Sequence, residues 1–363
     1  MDSSSYPKNF RAADYFHFLL YALLFIGFIY IFIISTNPTQ SEIFPTHTPP
    51  CDLPSMANKQ RLYTMAIYRD KLDEALGRAS TEDKTVIIAV VNRAYVEGDK
   101  PMLDLFLDGF WVGEGTRKLV RHVLVAAVDQ TSYERCVFLR LLHCYRLETE
   151  GVDFTGEEKV YMSEDFIKMM WRRTQFLRDV LKLGYSFIFT DSDVLWLRDP
   201  FPKLMSSRNE TLDLQISTDD FNGDDRSESN PINTGFYMIR SNNRTIALFD
   251  SWYDMRNSSA GLKEQDVLNK LIRHGWIEKL GLNVRFLDTK FFSGFCQDST
   301  DVKSVVTVHA NCCRTISAKL ADLTAVIHDW RRFKSFSGED VDNRTAAFRW
   351  SHHVNCAESW RTP

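Results

Sequence analysis

The 363-residue chain lacks a basic excess: 44 Lys and Arg stand against 48 Asp and Glu, a formal net charge of −4. Nucleic-acid binding rests on clustered cations, so nucleic acid is not an expected partner. None of the seven cysteines forms a Cys-x-x-Cys, which argues against a structural zinc site. Neither G-x-x-x-x-G-K-[ST] nor G-x-G-x-x-G occurs, which argues against P-loop and dinucleotide-type phosphate cradles. No internal repeat is visible. What is present, 44% hydrophobic residues in a chain of this length, suffices for one large core with appendages.

Asp, Glu, Lys and Arg are absent from Tyr15 to Ser35, "YFHFLLYALLFIGFIYIFIIS". About 20 such residues cross a bilayer, so the stretch reads as a transmembrane signal-anchor. It exceeds the apolar length of a cleaved signal peptide, and no clear cleavage site follows. Lys8 and Arg11 precede it, whereas residues 36–58 hold no Lys or Arg, which places residues 1–14 in the cytosol and the remainder in a lumen or outside. Pro, Ser and Thr dominate residues 36–58, as in an extended stem. With a helical stretch near 60–79 included, the stem is taken as 36–81 and the globular domain as 82–363. Sequons at Asn209, Asn243, Asn257 and Asn343 fit a lumenal domain as glycosylation sites.

The cysteines, Cys51, Cys136, Cys144, Cys296, Cys312, Cys313 and Cys356, suit an oxidising compartment, and their odd number leaves at least one unpaired within a monomer. A bridge between the adjacent Cys312 and Cys313 would strain the backbone, so one or both pair elsewhere or sit buried as thiols.

Beyond the stem, apolar runs alternate with amphipathic stretches. Strands are expected at 85–91 and 122–128, helices at 101–111, 131–142 and 163–182, and a further strand in "YSFIFT". This rhythm predicts an α/β fold with a mainly parallel sheet flanked by helices, which binds ligands at the carboxyl ends of its strands. At one such end stand Asp191 and Asp193. Two carboxylates one residue apart repel each other, and a divalent cation held between them would remove the conflict. A second Asp-x-Asp, Asp340 and Asp342, follows no apolar strand and reads as a solvated turn. Cations held by so few carboxylates usually also bind phosphate oxygens, and together with a lumenal topology this points to a nucleotide-diphosphate sugar as ligand.

The run "MMWRRTQFLRDVLKLGYSFIFTDSDVLWLRDPF", with "NTGFYMIRSNNR", "EQDVLN", "FCQDS" and "HANCC", resembles plant glycosyltransferase family 77, the nucleotide-diphospho-sugar transferases of the Golgi. The resemblance covers about residues 84–333. It implies a GT-A fold, a retaining mechanism, Mn²⁺ or Mg²⁺ as cofactor, a UDP-linked xylose, arabinose or galactose as donor, and a cell-wall polysaccharide or glycoprotein as acceptor. The protein would then be a type II Golgi membrane protein with 82–363 as catalytic domain. A non-catalytic sugar-nucleotide-binding or scaffold relative is the alternative.

By the same resemblance, Asp191, Asp193 and His309 are the metal ligands, His309 having a buried core histidine as its plain alternative. Asn92, Arg173, Ser192, Asp219, Asn233 and Gly235 are the donor-binding residues. Asn92 could equally cap a turn, and Arg173 is preferred over Arg172 for meeting donor phosphates. Thr234 replaces the more common glycine of Asn-Gly-Gly and adds a hydroxyl beside the sugar. Glu264, Gln265 and Asp266 open a helix, where carboxylates need no catalytic explanation; the resemblance nevertheless sets them at the sugar's reactive carbon, with Asp266 or Glu264 as candidate nucleophile. The tryptophans Trp111, Trp171, Trp196, Trp252 and Trp276 are expected in the core.

Overall fold

The computed structural model describes residues 21–29, 68–149, 158–159, 161–205, 211–336 and 347–361. Residues 21–29, inside the expected membrane span, are helical. Among the described residues, no helix is long and apolar enough to cross a membrane. The remainder of 15–35, the stem to residue 67, Cys51, Asn209, Asn343 and the Asp340/Asp342 pair lie outside the described residues.

Within the unit Ala66–Pro363, strands β1 (Thr85–Val91), β2 (Val123–Ala127), β3 (His143–Arg146), β4 (Ser186–Thr190), β6 (Leu214–Thr218), β7 (Ile232–Ile239) and β8 (Val284–Leu287) form one sheet in the order β3-β2-β1-β4-β7-β6-β8. All neighbours run parallel except β7, which is antiparallel to both β4 and β6. The sheet is thus the mainly parallel mixed sheet that the alternation predicts. A smaller sheet joins β5 (Val194–Trp196), β10 (Thr307–His309) and β9 (Phe292–Gly294) in that order.

Strict alternation along the buried strands explains the layers. In β1, Val86 and Ile88 enter one apolar cluster while Ile87, Ala89 and Val91 enter the other, so both faces of the sheet are covered. One face carries α1 (Lys71–Ala79), α4 (Glu164–Lys182), α6 (Asn243–Asp254), α7 (Glu264–Arg273) and the short α8 (Trp276–Leu280); the other carries α2 (Met102–Val112), α3 (Gln130–Leu139) and the short α5 (Phe201–Met205). A third cluster lies beneath α9 (Ile316–Lys334), where Leu323, Val326, Ile327 and Trp330 meet Leu195, Leu197 and Val308. Of the five tryptophans expected inside, Trp171, Trp196 and Trp252 are buried, whereas Trp111 is 37% exposed and Trp276 only partly covered.

One boundary needs correction. Helix α1, expected within the stem, buries Leu72, Leu76 and Ala79 in the core, and its Asp73 accepts a hydrogen bond from the Tyr185 hydroxyl at 2.9 Å. The globular unit therefore starts near Ala66, not at residue 82.

Helix α4 shows how local rules position the site. Ser163 caps it by accepting from the Phe166 N–H, and Gly184, at φ +89°, ends it in the left-handed region that glycine adopts without strain. Its buried face holds Arg173, Phe176, Leu177 and Val180, spaced at helical intervals. A cation is thereby carried into the interior on an apolar stripe.

Candidate active site

Asp191 leaves the carboxyl end of β4, in the middle of the sheet, and its N–H donates to the Gly235 carbonyl at 2.7 Å. Asp193 follows just before β5. Because β10 pairs antiparallel with β5 and sets His309 opposite Val194, the imidazole arrives beside Asp193 from more than a hundred residues away. One ligand atom each of Asp191, Asp193 and His309 lies within 4.8 Å of the others.

The cavity over these residues, about 270 Å³, gathers Asn92, Arg173, Asp191, Ser192, Asp193, Asp219, Asn233, Gly235, Glu264, Gln265 and His309. Every residue singled out for donor or metal binding therefore lines one space. Asp266 does not line it, so the structure leaves Glu264 as the carboxylate candidate of that helix; each helical residue turns by about 100° from its neighbour. Asn92 is buried, makes no side-chain cap bond, and has an Oδ1 without a hydrogen-bond partner. Its side chain therefore caps nothing, while its carbonyl accepts from the Tyr95 N–H at 3.0 Å in the turn that follows. Ser192 Oγ is likewise buried and unpartnered.

Next to β4, strand β7 bulges. Ile216 pairs with Tyr237 but the next residue, Ser217, pairs with Asn233, so residues 234–236 have no counterpart on β6. Ser217 Oγ spans the irregularity, 3.2 Å from the Asn233 carbonyl and 2.7 Å from that of Phe236. The bulge aims Asn-Thr-Gly at the acidic pair. Asn233 Oδ1 accepts from the Gly235 N–H at 2.8 Å, while its Nδ2 donates to Asp219 Oδ1 at 2.8 Å. Glycine at 235 is a matter of space, since a Cβ there would stand 2.3 Å from His309 Cε1 and 2.8 Å from Asp191 Oδ2.

Arg173, expected to meet donor phosphates, lines the cavity and is engaged by two carboxylates. Its guanidinium bridges Asp191 Oδ1 at 2.8 Å and Glu264 Oε1 at 2.6 Å, with only 8% of its side chain exposed. Thr234 Oγ1 donates to the same Glu264 oxygen at 2.9 Å, so the hydroxyl that departs from Asn-Gly-Gly is tied into this network. Glu264 Oε2 is buried without a partner.

On the other side of the pair, Lys319 of α9 lies 2.7 Å from Asp193 Oδ2. Burial alone would raise the Asp193 carboxyl; Lys319 and then His309 reverse this and hold it well below the usual carboxylate range. Burial would lower Lys319, yet Asp193 holds it above its ordinary value. Asp191 is pushed upward by burial, with Arg173 opposing and Asp193 adding to the rise. Asp193 Oδ1, 3.3 Å from His309 Nε2, is buried and accepts no well-formed hydrogen bond.

Lys319, Thr234's bond to Glu264, and Asn311, which donates to Asp219 Oδ1 at 2.8 Å, were not singled out as site groups by the sequence. Only Lys319 left a signal, a lysine among Ile316, Leu320 and Leu323 on the apolar face of its helix. Disulfides frame the far wall: Cys296–Cys312 and Cys313–Cys356 separate the adjacent cysteines, and Cys136–Cys144 lies elsewhere.

Residues 118–323 match the family described as nucleotide-diphospho-sugar transferase. The chain belongs to that family, within plant glycosyltransferase family 77. An uncharacterized protein of Arabidopsis thaliana is 54% identical over 296 residues, 80% of this chain and 84% of its own length. A beta-arabinofuranosyltransferase of the same plant is 26% identical over 233 residues, 61% of this chain and 41% of its own. The structure of mouse xyloside xylosyltransferase 1 superposes with a TM-score of 0.40 at 12% identity over 64% of this chain and 99% of that one, a likeness too remote to carry anything further. In this family member a mainly parallel mixed sheet is flanked by helices on both faces.

Proposed function

We propose that the protein is a metal-dependent, retaining glycosyltransferase that moves a pentose or hexose, such as arabinose, xylose or galactose, from a UDP-sugar to a cell-wall polysaccharide or glycoprotein. Residues 15–35 would hold it in the Golgi membrane with the catalytic domain in the lumen, where the exposed Asn243 and Asn257 could carry glycans. The observation that carries the proposal is the convergence of Asp191, Asp193 and His309 at a strand end. Similarity to a beta-arabinofuranosyltransferase supports a pentose donor.

The residues fit a cation. Two carboxylates and one imidazole suit Mn²⁺ or Mg²⁺, Asp193 Oδ1 is buried without a hydrogen bond, and the missing Cβ of Gly235 keeps the space between His309 and Asp191 open. A cation bound there would supply Lewis-acid stabilisation of the charge that builds on the departing diphosphate. Arg173 keeps Asp191 oriented for that role, and Lys319 does the same for Asp193. Asn92 and Ser192 offer the donor unpartnered polar atoms. Glu264 and Gln265, held by Thr234, flank the sugar on the β7 side.

The test uses the full-length chain in detergent with UDP-arabinofuranose, UDP-xylose, UDP-galactose and UDP-glucose, reading UDP release with and without Mn²⁺. Release with one donor that needs Mn²⁺ and vanishes in Asp191→Ala/Asp193→Ala is expected, and the product's anomeric configuration by NMR reads retention. UDP binding indifferent to both metal and the double substitution would refute the proposal.

A further inference from the structure

Two partly exposed aromatic rings that none of the roles above uses also line the cavity. Tyr161 is 37% and Trp360 47% exposed, their ring centroids 6.4 Å apart at 66°. Both line the same cavity as Asp191 and Glu264.

The chain invests several connections in holding Trp360 there. The Cys313–Cys356 disulfide ties the C-terminal segment to the loop after β10. Buried Asp322 of α9 accepts from the Cys356 N–H at 2.8 Å and from Asn355 Nδ2 at 2.7 Å. Ser359 Oγ accepts from the Arg314 N–H at 3.0 Å, and the indole Nε1 donates to the Cys312 carbonyl at 2.7 Å. With its N–H satisfied and the Arg314 guanidinium 4.2 Å over one face, the ring is held in place yet remains exposed. Tyr161 is supported by Phe166 at 5.4 Å and by the Lys263 ammonium 5.3 Å over its ring. Lys263 immediately precedes Glu264 and Gln265, so this wall adjoins the sugar side of the donor pocket as proposed above.

We propose that Tyr161 and Trp360 form the acceptor subsite and bind a saccharide ring. The C–H face of a furanose or pyranose is apolar and packs on an aromatic face, while its hydroxyls need polar partners at the edge; rigid Tyr and Trp meet this with little loss of conformational entropy. Lys263, Arg314 and Glu158 supply charged groups around the rings. A saccharide held there shares one cavity with the residues proposed to hold the donor, as transfer between two sugars requires. The inference rests on the glycosyltransferase reading of that cavity.

The test is a glycan array of plant cell-wall oligosaccharides, probed with the full-length chain in detergent plus UDP and Mn²⁺, with UDP affinity measured on the same samples by calorimetry. Trp360→Ala and Tyr161→Ala are each expected to weaken retention of the bound glycans about tenfold or more. Trp360→Phe and Tyr161→Phe, which keep a ring but lose the polar tip, are expected to retain them, which separates stacking from loss of local structure. Glycan retention unchanged in both alanine variants, or no retention by a wild type that binds UDP, overturns the proposal. Loss of UDP affinity in the alanine variants assigns the rings to the nucleobase and also overturns it. A wild type that binds no UDP fails the donor reading itself.

Discussion

Replacing Gly235 with alanine isolates the geometry of the proposed metal site. The residue lies in β7 with a backbone that alanine can adopt, since its φ is not in the left-handed region. Any effect must then come from the added methyl, which would stand 2.3 Å from His309 Cε1, 2.8 Å from Asp191 Oδ2 and 2.9 Å from Asn233 Oδ1. All three side chains are anchored: Asp191 by Arg173, His309 beside Asp193, and Asn233 by Asp219. Overpacking of this kind costs about 1–3 kcal/mol, and removing glycine's excess backbone entropy returns about 0.5–1 kcal/mol, leaving a net loss of about 0–2.5 kcal/mol, centred at about 1 kcal/mol. That amounts to a fall of a few degrees in Tm for a domain this large. Cation binding should suffer more, because two of the three ligands are displaced together; disturbing even the partners of metal ligands costs about 10–100-fold in affinity. Electron paramagnetic resonance of free Mn²⁺, titrated against folded Gly235→Ala with UDP present, measures it. An unchanged Mn²⁺ affinity would show that no cation sits between His309 and Asp191.

Lys319→Met leaves Asp193 buried beside Asp191 without its cation. Breaking such a pair costs about 3–5 kcal/mol, with the lower end expected because Lys319 retains some exposure, and Mn²⁺ should restore part of the loss. Equal shifts of the urea midpoint with and without Mn²⁺ would contradict a cation binding at Asp193. Far from the site, the Arg69 backbone N–H chiefly, and the Tyr185 hydroxyl, hold Asp73 below its ordinary value against the effect of burial. A depressed folded value stabilises the fold above the unfolded carboxylate pKa of about 3.9 and loses that contribution as pH falls through the folded value. Asp73→Asn should therefore narrow its stability deficit between pH 5 and pH 2 in urea titrations; a constant deficit would refute the linkage. Removing the Cys313–Cys356 bridge, which spans 43 residues, as the double serine variant should cost about 4 kcal/mol by loop-closure entropy. Identical urea midpoints for that variant and the parent would show that the bridge does not restrain the unfolded chain.

The elements that the sequence foretold are those governed by local periodicity. Strand β1 occupies the expected 85–91, and helices expected at 101–111 and 163–182 appear as Met102–Val112 and Glu164–Lys182. The helix expected to reach residue 142 ends at Leu139, because Arg140 turns into the left-handed region at φ 54°. Asp191 and Asp193 were legible as a strand-end pair because an apolar run stops immediately before them. Arg173 was legible as a basic group near the site, but its commitment to Asp191 and Glu264 was not, since those partners lie 18 and 91 residues away. Asp266 was indistinguishable from Glu264 in sequence; only the direction of the helix relative to the cavity separates them.

The sequence by itself determined the βα rhythm, the buried strands and the acidic pair at a strand end, because side-chain periodicity and chain-end chemistry act over a few neighbouring residues. Only the tertiary structure decided that β7 enters antiparallel and bulges beside Asp191, that the small sheet carries His309 to Asp193, that Lys319 reaches the same carboxylate, and which cysteines join. Each of these depends on contacts between segments far apart along the chain, whose register is set by how the whole core packs.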